Sequence, residues 1–452
     1  MTSPVRVRVA LGLIVAGYLV LAVLYATRVP IWNAPDEPAH FNFIRAIAVD
    51  NRLPILKPGD YNQDQLARLM HDHFASGESI ASLRYESHQP PLYYLIATPV
   101  FLATERFDTR TQVIVLRLLT ALIGALVVLA TYRLATLTFP GRATLGLGAA
   151  AFVAFVPMHV FMDAAIDNDA LVELMIALVL IVLVDDLRKP KAPRNDVLVG
   201  IAAGLAALAK LDGGVCAVLI VAGFLGSAFL STDRPRAIRR APRRIVRAGI
   251  VAALISGWWF ARNLLVYGLG DPFALRRHAQ VVVGQPLTGA LTRTRIRDLA
   301  LTAFHSFWGQ FGWMGIPYAD RTYDVIAALS LLVALGVGMY LWRLFVPFNP
   351  KAWAWIREGP TERLAVALLL LEVLLVIVGV VFYNLRYLQP QGRYFFPALP
   401  ALAILSVAGI GELIRDEHRG LVIAIAGCAL YGLCVFSLFQ VIGPAFAAAP
   451  SP

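Results

Sequence analysis

Eleven apolar runs recur along this chain, near residues 9–28, 113–137, 144–162, 170–184, 197–209, 214–230, 248–266, 324–342, 364–383, 397–413 and 420–441. A helix apolar on every side has its natural environment in the hydrocarbon core of a bilayer, which about 20 residues cross. Composition agrees. Of 452 residues 58% are hydrophobic and 15% charged, against about 25% charged in soluble proteins. The chain is expected to be an all-α polytopic membrane protein with about 11 transmembrane helices. It forms one domain over 1–452 with no separate soluble domain. The run 197–209 is short for a span, so its ends must extend into the flanking sequence.

The net charge of +11 could point to nucleic acid, but its placement points to the bilayer. Arg234, Arg236, Arg239, Arg240, Arg243, Arg244 and Arg247 crowd one connection between apolar runs, and Arg188, Lys189, Lys191 and Arg194 another. Clustered basic loops hold the cytoplasmic side. With Arg6 and Arg8 inside, the loops near 138–143, 185–196, 231–247, 343–363 and 414–419 are all cytoplasmic, provided that the apolar segment 90–104 does not span. If it spanned, the Arg-rich loop would have to be translocated. The segment, opened by Pro90-Pro91 and broken by Pro99, is therefore expected at the outer interface. The first run follows Arg6 and Arg8 without a small-residue cleavage site, and reads as a retained helix rather than a signal peptide. Outside then lie the loops 29–112, 163–169, 267–322 and 384–396, with a bend near 210–213 and the tail 447–452. Cys216, Cys428 and Cys434 sit in apolar segments without metal-ligand or disulfide spacing.

These outer segments hold the residues suited to chemistry. Asp36 and Glu37 follow the first span in Trp32-Asn33-Ala34-Pro35-Asp36-Glu37-Pro38-Ala39-His40. They suit either the capped first turn of a helix through Ile44 and Ala48 or carboxylates aimed into a cavity, with His40 on the face of Asp36. Asp163, Asp167 and Asp169 fall in a tight turn between two runs. They suit a solvated turn, a site that positions a hydroxyl, or a divalent cation, Mg or Mn. Lys210, Arg262 and Arg393 end apolar segments, where they either snorkel or together clamp a phosphate. His88 and Gln89 open the interfacial segment, in Tyr85-Glu86-Ser87-His88-Gln89-Pro90-Pro91-Leu92-Tyr93-Tyr94.

The order of these phrases resembles the GT-C glycosyltransferase superfamily, nearest to bacterial relatives of protein O-mannosyltransferases and aminoarabinose transferases. The resemblance rests on the Asp36-Glu37 pair, His88-Gln89-Pro90-Pro91-Leu92-Tyr93-Tyr94, Asp167-Asn168-Asp169, Ala209-Lys210 and Gln391-Gly392-Arg393-Tyr394, over about residues 10–415. More narrowly, Pro35-Asp36-Glu37-Pro38-Ala39-His40 and Gln391-Gly392-Arg393-Tyr394 resemble signature phrases of a large bacterial membrane family. The resemblance implies a monosaccharide donor linked through phosphate to a polyprenol, used at the outer face of the bacterial cytoplasmic membrane with inversion. It places Asp36 as base with Glu37 beside it, Asp167 and Asp169 at the outer acidic turn, and Lys210 and Arg393 at the donor phosphate. The residues' own placement adds Asp163 to the acceptor or metal acids and Arg262 and His88 to the phosphate group. His40, Gln89 and Tyr394 support them. His88-Gln89 stands where relatives often carry Lys, and the C-terminal periplasmic domain of many relatives is absent. The acceptor, an envelope glycan, lipid or protein, would then be recognised by the outer loops.

The implied chemistry is self-consistent. Glycosyl transfer needs a base for the acceptor hydroxyl and positive groups for the phosphate charge that develops. No Walker A loop is present, and a polyprenyl phosphate leaves without one. The alternatives are a transporter or flippase of lipid-linked sugars, and a glycan ligase using a lipid-diphosphate donor. Against the first, no halved repeat is visible and the ionisable residues crowd one face.

Overall fold

The computed structural model describes residues 3–75, 77–345 and 359–447. In chain order its α-helices are α1 (Pro4–Arg28), α2 (Glu37–Asp50), α3 (Gln63–His71), α4 (Leu92–Ala103), α5 (Thr109–Thr138), α6 (Ala143–Phe155), α7 (Pro157–Asp163), α8 (Asp169–Arg188) and α9 (Arg194–Ala209). They continue with α10 (Val215–Leu230), α11 (Arg234–Tyr267), α12 (Leu275–Val281), α13 (Arg293–Gly309), α14 (Asp320–Phe345), α15 (Pro360–Asn384), α16 (Leu399–Leu413), α17 (Asp416–Phe436) and the short α18 (Gly443–Ala447). Two two-residue strands, Gln310–Phe311 and Ile316–Pro317, pair antiparallel after α13.

Among the described residues eight helices are long and apolar enough to cross a membrane, or nine if α6 and α7 count as one span bent by 64°. The bend falls where Pro157 opens α7, because proline cannot supply the N–H that would carry α6 onward. The runs 170–184 and 197–209 lie in α8 and α9. α8 is interrupted by Asp169, Glu173, Asp185, Asp186 and Arg188, and α9 has 16 residues. The chain is a multi-pass membrane protein.

Polar pairs mark the two ends of the bundle. At one end Arg188 meets Glu362 at 3.0 Å, Arg244 meets Asp186 at 2.9 Å and Asp196 at 2.7 Å, and Arg343 meets Glu412 at 2.8 Å. These pairs join the loops expected to be cytoplasmic. Residues 346–358 of the loop 343–363, and 448–452 of the tail, lie outside the described residues. The other end gathers Asp36, Asp167, Lys210 and Arg393. Small residues let the helices close between these ends: a Cβ on Gly336 would run into the backbone of Gly409 on α16.

The segment 90–104 forms α4, 12 residues long and so about 18 Å. That is too short for a hydrocarbon core of about 30 Å. The first loop otherwise folds into α2, α3 and a 3₁₀ turn, Tyr85–His88. The stretch 267–322 contributes α12, α13 and the strand pair, and is tied to the end of α15. There Thr288 N–H donates to Arg386 O (3.1 Å) and Leu388 N–H to Pro286 O (2.9 Å).

Candidate active site

Asp36 stands at the entry of α2 with a left-handed backbone, φ +66°. Asp tolerates that region better than most residues, and strain of this kind gathers at functional sites. Asp36 occupies the N-cap position and Glu37 the first turn, as one sequence reading has it, but the Asp36 side chain makes no capping bond to the helix. Instead Oδ1 accepts from the Tyr85 hydroxyl (2.9 Å) and Oδ2 from Arg393 Nη2. Burial alone would raise its proton affinity, but the guanidinium beside it holds the carboxyl below the usual range. Asp36 is therefore a carboxylate at neutral pH.

Arg393 is placed by a close approach of backbones. Gly392 N–H donates to the Ser306 hydroxyl at 2.7 Å, and a Cβ on Gly392 would collide with the Phe307 main chain of α13. The neighbouring guanidinium reaches Asp36, Asp167 Oδ2 (3.3 Å) and Gln391 Oε1 (2.7 Å). Gln389 Oε1 accepts from Tyr394 (3.1 Å) and from Gln391 Nε2 (2.9 Å), which extends the network. Lys210, at the C-terminal end of α9, pairs with Asp169 and lies 3.7 Å from Asp212. Burial opposes its charge, but Asp169 outweighs that and keeps it protonated. Burial and the adjacent Asp169 push Asp167 up to about 8. His40 Nδ1 bonds the Tyr94 hydroxyl at 2.8 Å, and its Nε2 lies 3.9 Å from Asp167.

Two cavities meet here. One, about 380 Å³, is lined by Asp36, His40, His88, Gln89, Asp167, Lys210 and Arg393. Its opposite wall is apolar and comes from α15: Leu375, Val376, Val380 and Phe382. The other, about 560 Å³, is lined by Tyr61, Gln63, Arg295, Gln310, Trp313 and Gln391 among others. Asp36, Glu86, His278, Tyr383 and Tyr394 line both.

Four sequence expectations need correction. Glu37 lines neither cavity; it is buried in a two-point ion pair with Arg117 (2.7 Å to each oxygen), with Trp32 N–H also donating to it. Asp36, left-handed and outside the helix, points into the site, whereas Glu37, the first helical residue, points into the core. Asp163 likewise turns inward, accepting from Tyr18 (2.7 Å) beside His159 (3.5 Å). Arg262 donates to Pro54 O (2.6 Å) and stacks on Trp259, so it fastens the first loop and does not face the phosphate end. His88 Nδ1 sits 3.0 Å from the Tyr85 carbonyl, which can only accept. Burial lowers its pKa to about 4. The neutral ring therefore offers the cavity an Nε2 lone pair in place of a positive charge.

Asp167 and Asp169 do not fit a divalent cation either. Each is already paired with a basic side chain, and no group of three His, Cys, Asp or Glu is placed to hold an ion among the described residues. Two residues were missed. Arg117, fully buried within the apolar run 113–137, pairs with Glu37. Glu86 lines both cavities, and burial raises it to about 7. The signal for Glu86 was available, because it lies inside the phrase that leads into Pro90-Pro91.

Residues 68–402, most of the chain, match the family described as Predicted membrane protein (DUF2142), so the chain belongs to that family. No curated protein matches it. It is similar to solved structures of two membrane transferases. One is the oligosaccharyltransferase AglB of the archaeon Archaeoglobus fulgidus, in complex with an inhibitory peptide and a dolichol-phosphate. That match has 16% identity and TM-score 0.53, covering 94% of this chain and 56% of that one. A second structure of that enzyme, with Zn and sulfate, gives 15% identity and TM-score 0.50 over 93% of this chain and 53% of that one. The other is ArnT of Cupriavidus metallidurans bound to undecaprenyl phosphate, with 16% identity and TM-score 0.50 over 97% of this chain and 74% of that one. The chain thus spans about half the length of the archaeal enzyme. At such identities the likeness is one of fold, and the fold is GT-C-like, as the resemblance in sequence implied.

Proposed function

We propose that this DUF2142 protein is a glycosyltransferase that moves a monosaccharide from a polyprenyl phosphate to an acceptor hydroxyl at the outer face of a bacterial cytoplasmic membrane. One observation carries the reading: a cavity with an apolar wall and two cations, Lys210 and Arg393, meets a more polar one at the carboxyl groups of Asp36 and Glu86. The α15 wall suits a polyprenyl chain, and Lys210 and Arg393 suit its phosphate. Two proteins of similar fold were solved with undecaprenyl phosphate and a dolichol-phosphate, which supports the same ligand class here.

In this reading the acceptor lies in the polar cavity with its hydroxyl at Asp36. The hydroxyl oxygen attacks the anomeric carbon from the face opposite the phosphate, and its proton passes to Asp36. The anomeric carbon–oxygen bond breaks, the polyprenyl phosphate leaves with the electron pair, and the configuration inverts. Lys210 and Arg393 stabilise the charge that gathers on the leaving phosphate. Arg393 also couples the two cavities. A phosphate that draws the guanidinium away from Asp36 removes the cation that depresses its basicity, so donor binding readies the base. Asp167 and Asp169 hold the two cations in place, and no step requires a metal.

Donor binding is the first test. The protein in lipid nanodiscs, presented with undecaprenyl phosphate in excess phosphatidylglycerol, should retain the polyprenyl lipid in native mass spectra. Lys210→Ala should release most of it. Retention no greater than that of phosphatidylglycerol would falsify the assignment.

A further inference from the structure

We propose that the polar cavity is a carbohydrate site, so that the acceptor hydroxyl belongs to a glycan; this rests on the transferase reading above. A sugar ring presents two surfaces. Its C–H faces are apolar plates that pack on aromatic rings, and its hydroxyl rim needs groups that both donate and accept. The cavity supplies both. Tyr61 and Tyr85 meet edge to face at 5.5 Å between ring centroids, and Tyr383 and Tyr394 do so at 5.9 Å. Trp313, held by its Nε1 bond to Trp32 O at 2.8 Å, adds a further aromatic surface.

The hydroxyl partners are amides. Gln63, Gln285, Gln310, Gln389 and Gln391 line this cavity. Gln310 is informative, because its Nε2 donates to Met314 O at 2.9 Å while its Oε1 is buried without a partner. An unpaired acceptor is costly, and turning the Gln310 amide toward the cavity would let this oxygen accept from a sugar hydroxyl. Arg295 and Asp298, both in the lining and three residues apart on α13, bring opposite charges, which favours a ligand without net charge. A peptide would want a strand edge or an amphipathic groove. The strand here, Gln310–Phe311, has two residues. The volume of about 560 Å³ lies within the usual range for ligand cavities, roughly 300–1,000 Å³.

The test uses the whole protein in nanodiscs and saturation-transfer NMR. The probes are maltotriose, mannotriose, galactotriose, arabinotriose and a serine- and threonine-containing hexapeptide. At least one trisaccharide should show transfer, strongest at its ring C–H protons. Tyr61→Leu and Gln310→Leu should each weaken it about tenfold, the size expected for losing one good contact. Both variants should still bind undecaprenyl phosphate as the parent does, which shows them folded and leaves the donor reading untouched. No transfer to any trisaccharide, or transfer to the peptide alone, with undecaprenyl phosphate binding intact, overturns the glycan proposal. Loss of undecaprenyl phosphate binding in the unaltered protein would instead overturn the transferase reading beneath it.

Discussion

Asp36 and Glu37 are neighbours in sequence with opposite environments, and substitution should separate them. Asp36→Asn keeps shape and hydrogen bonding while removing the base. Release of undecaprenyl phosphate from its monosaccharide conjugates should fall about 10²–10⁴-fold, with lipid binding kept. Glu37→Gln leaves the Arg117 guanidinium buried without its carboxylate, and breaking a buried pair costs about 3–5 kcal/mol. That variant should show a lowered thermal unfolding midpoint in detergent, whereas Asp36→Asn should not; the reverse pattern would exchange the two roles. Glu86 governs the pH response. A carboxyl raised to about 7 is protonated below that pH and ionised above it. It faces Asp36, His40 and, more distantly, Lys210, so its ionisation helps to accept the proton that Asp36 takes from the acceptor. Turnover should rise as pH passes from 6 to 8, and Glu86→Gln should flatten that rise. A limb unchanged in the variant would assign it to another group, Asp167 being the next candidate.

At the scale of elements, the site depends on where α13 crosses the Gln391-Gly392-Arg393-Tyr394 phrase. Gly392 lies against the Phe307 backbone with no room for a Cβ. Gly392→Ala should therefore displace Arg393 from both acids, lowering turnover and weakening undecaprenyl phosphate binding together. If only stability changed, the crossing would be a packing feature alone. This coupling explains what the sequence could and could not convey. The apolar runs, the non-spanning Pro90–Thr104 stretch and the placement of Lys210 and Arg393 beside one cavity follow from hydropathy, charge and the motif phrases. The separation of Asp36 from Glu37, the inward turn of Asp163 and the tie of Arg262 to Pro54 do not. Each depends on rotation about a helix axis or on a partner more than a hundred residues away. Arg117 shows the same limit: one arginine in an apolar run looks like a blemish until Glu37 and three backbone carbonyls surround it.

For the molecule as a whole, sidedness decides whether the chemistry can be what it is proposed to be. α15 carries Glu362 of an arginine pair near its start and Tyr383 of both cavities near its end, so these two ends fall on opposite sides of a bilayer that the helix crosses. The exposed arginines at the start of α11, Arg236, Arg239, Arg240 and Arg243, are too many to be moved across a membrane against the positive-inside bias. We propose that they lie in the cytoplasm, so that the cavities open outward. Cysteine mapping tests this directly. With Cys216, Cys428 and Cys434 replaced by serine or alanine, cysteines are introduced singly at Arg240 and at Leu269, which is 88% exposed beyond the end of α11. A membrane-impermeant maleimide should label Leu269→Cys in intact cells and Arg240→Cys only after permeabilisation. The opposite pattern would put the cavities in the cytoplasm. Every residue contact described here would survive that result, but the donor would then have to be presented on the inner leaflet, and an outward-facing transferase would be excluded.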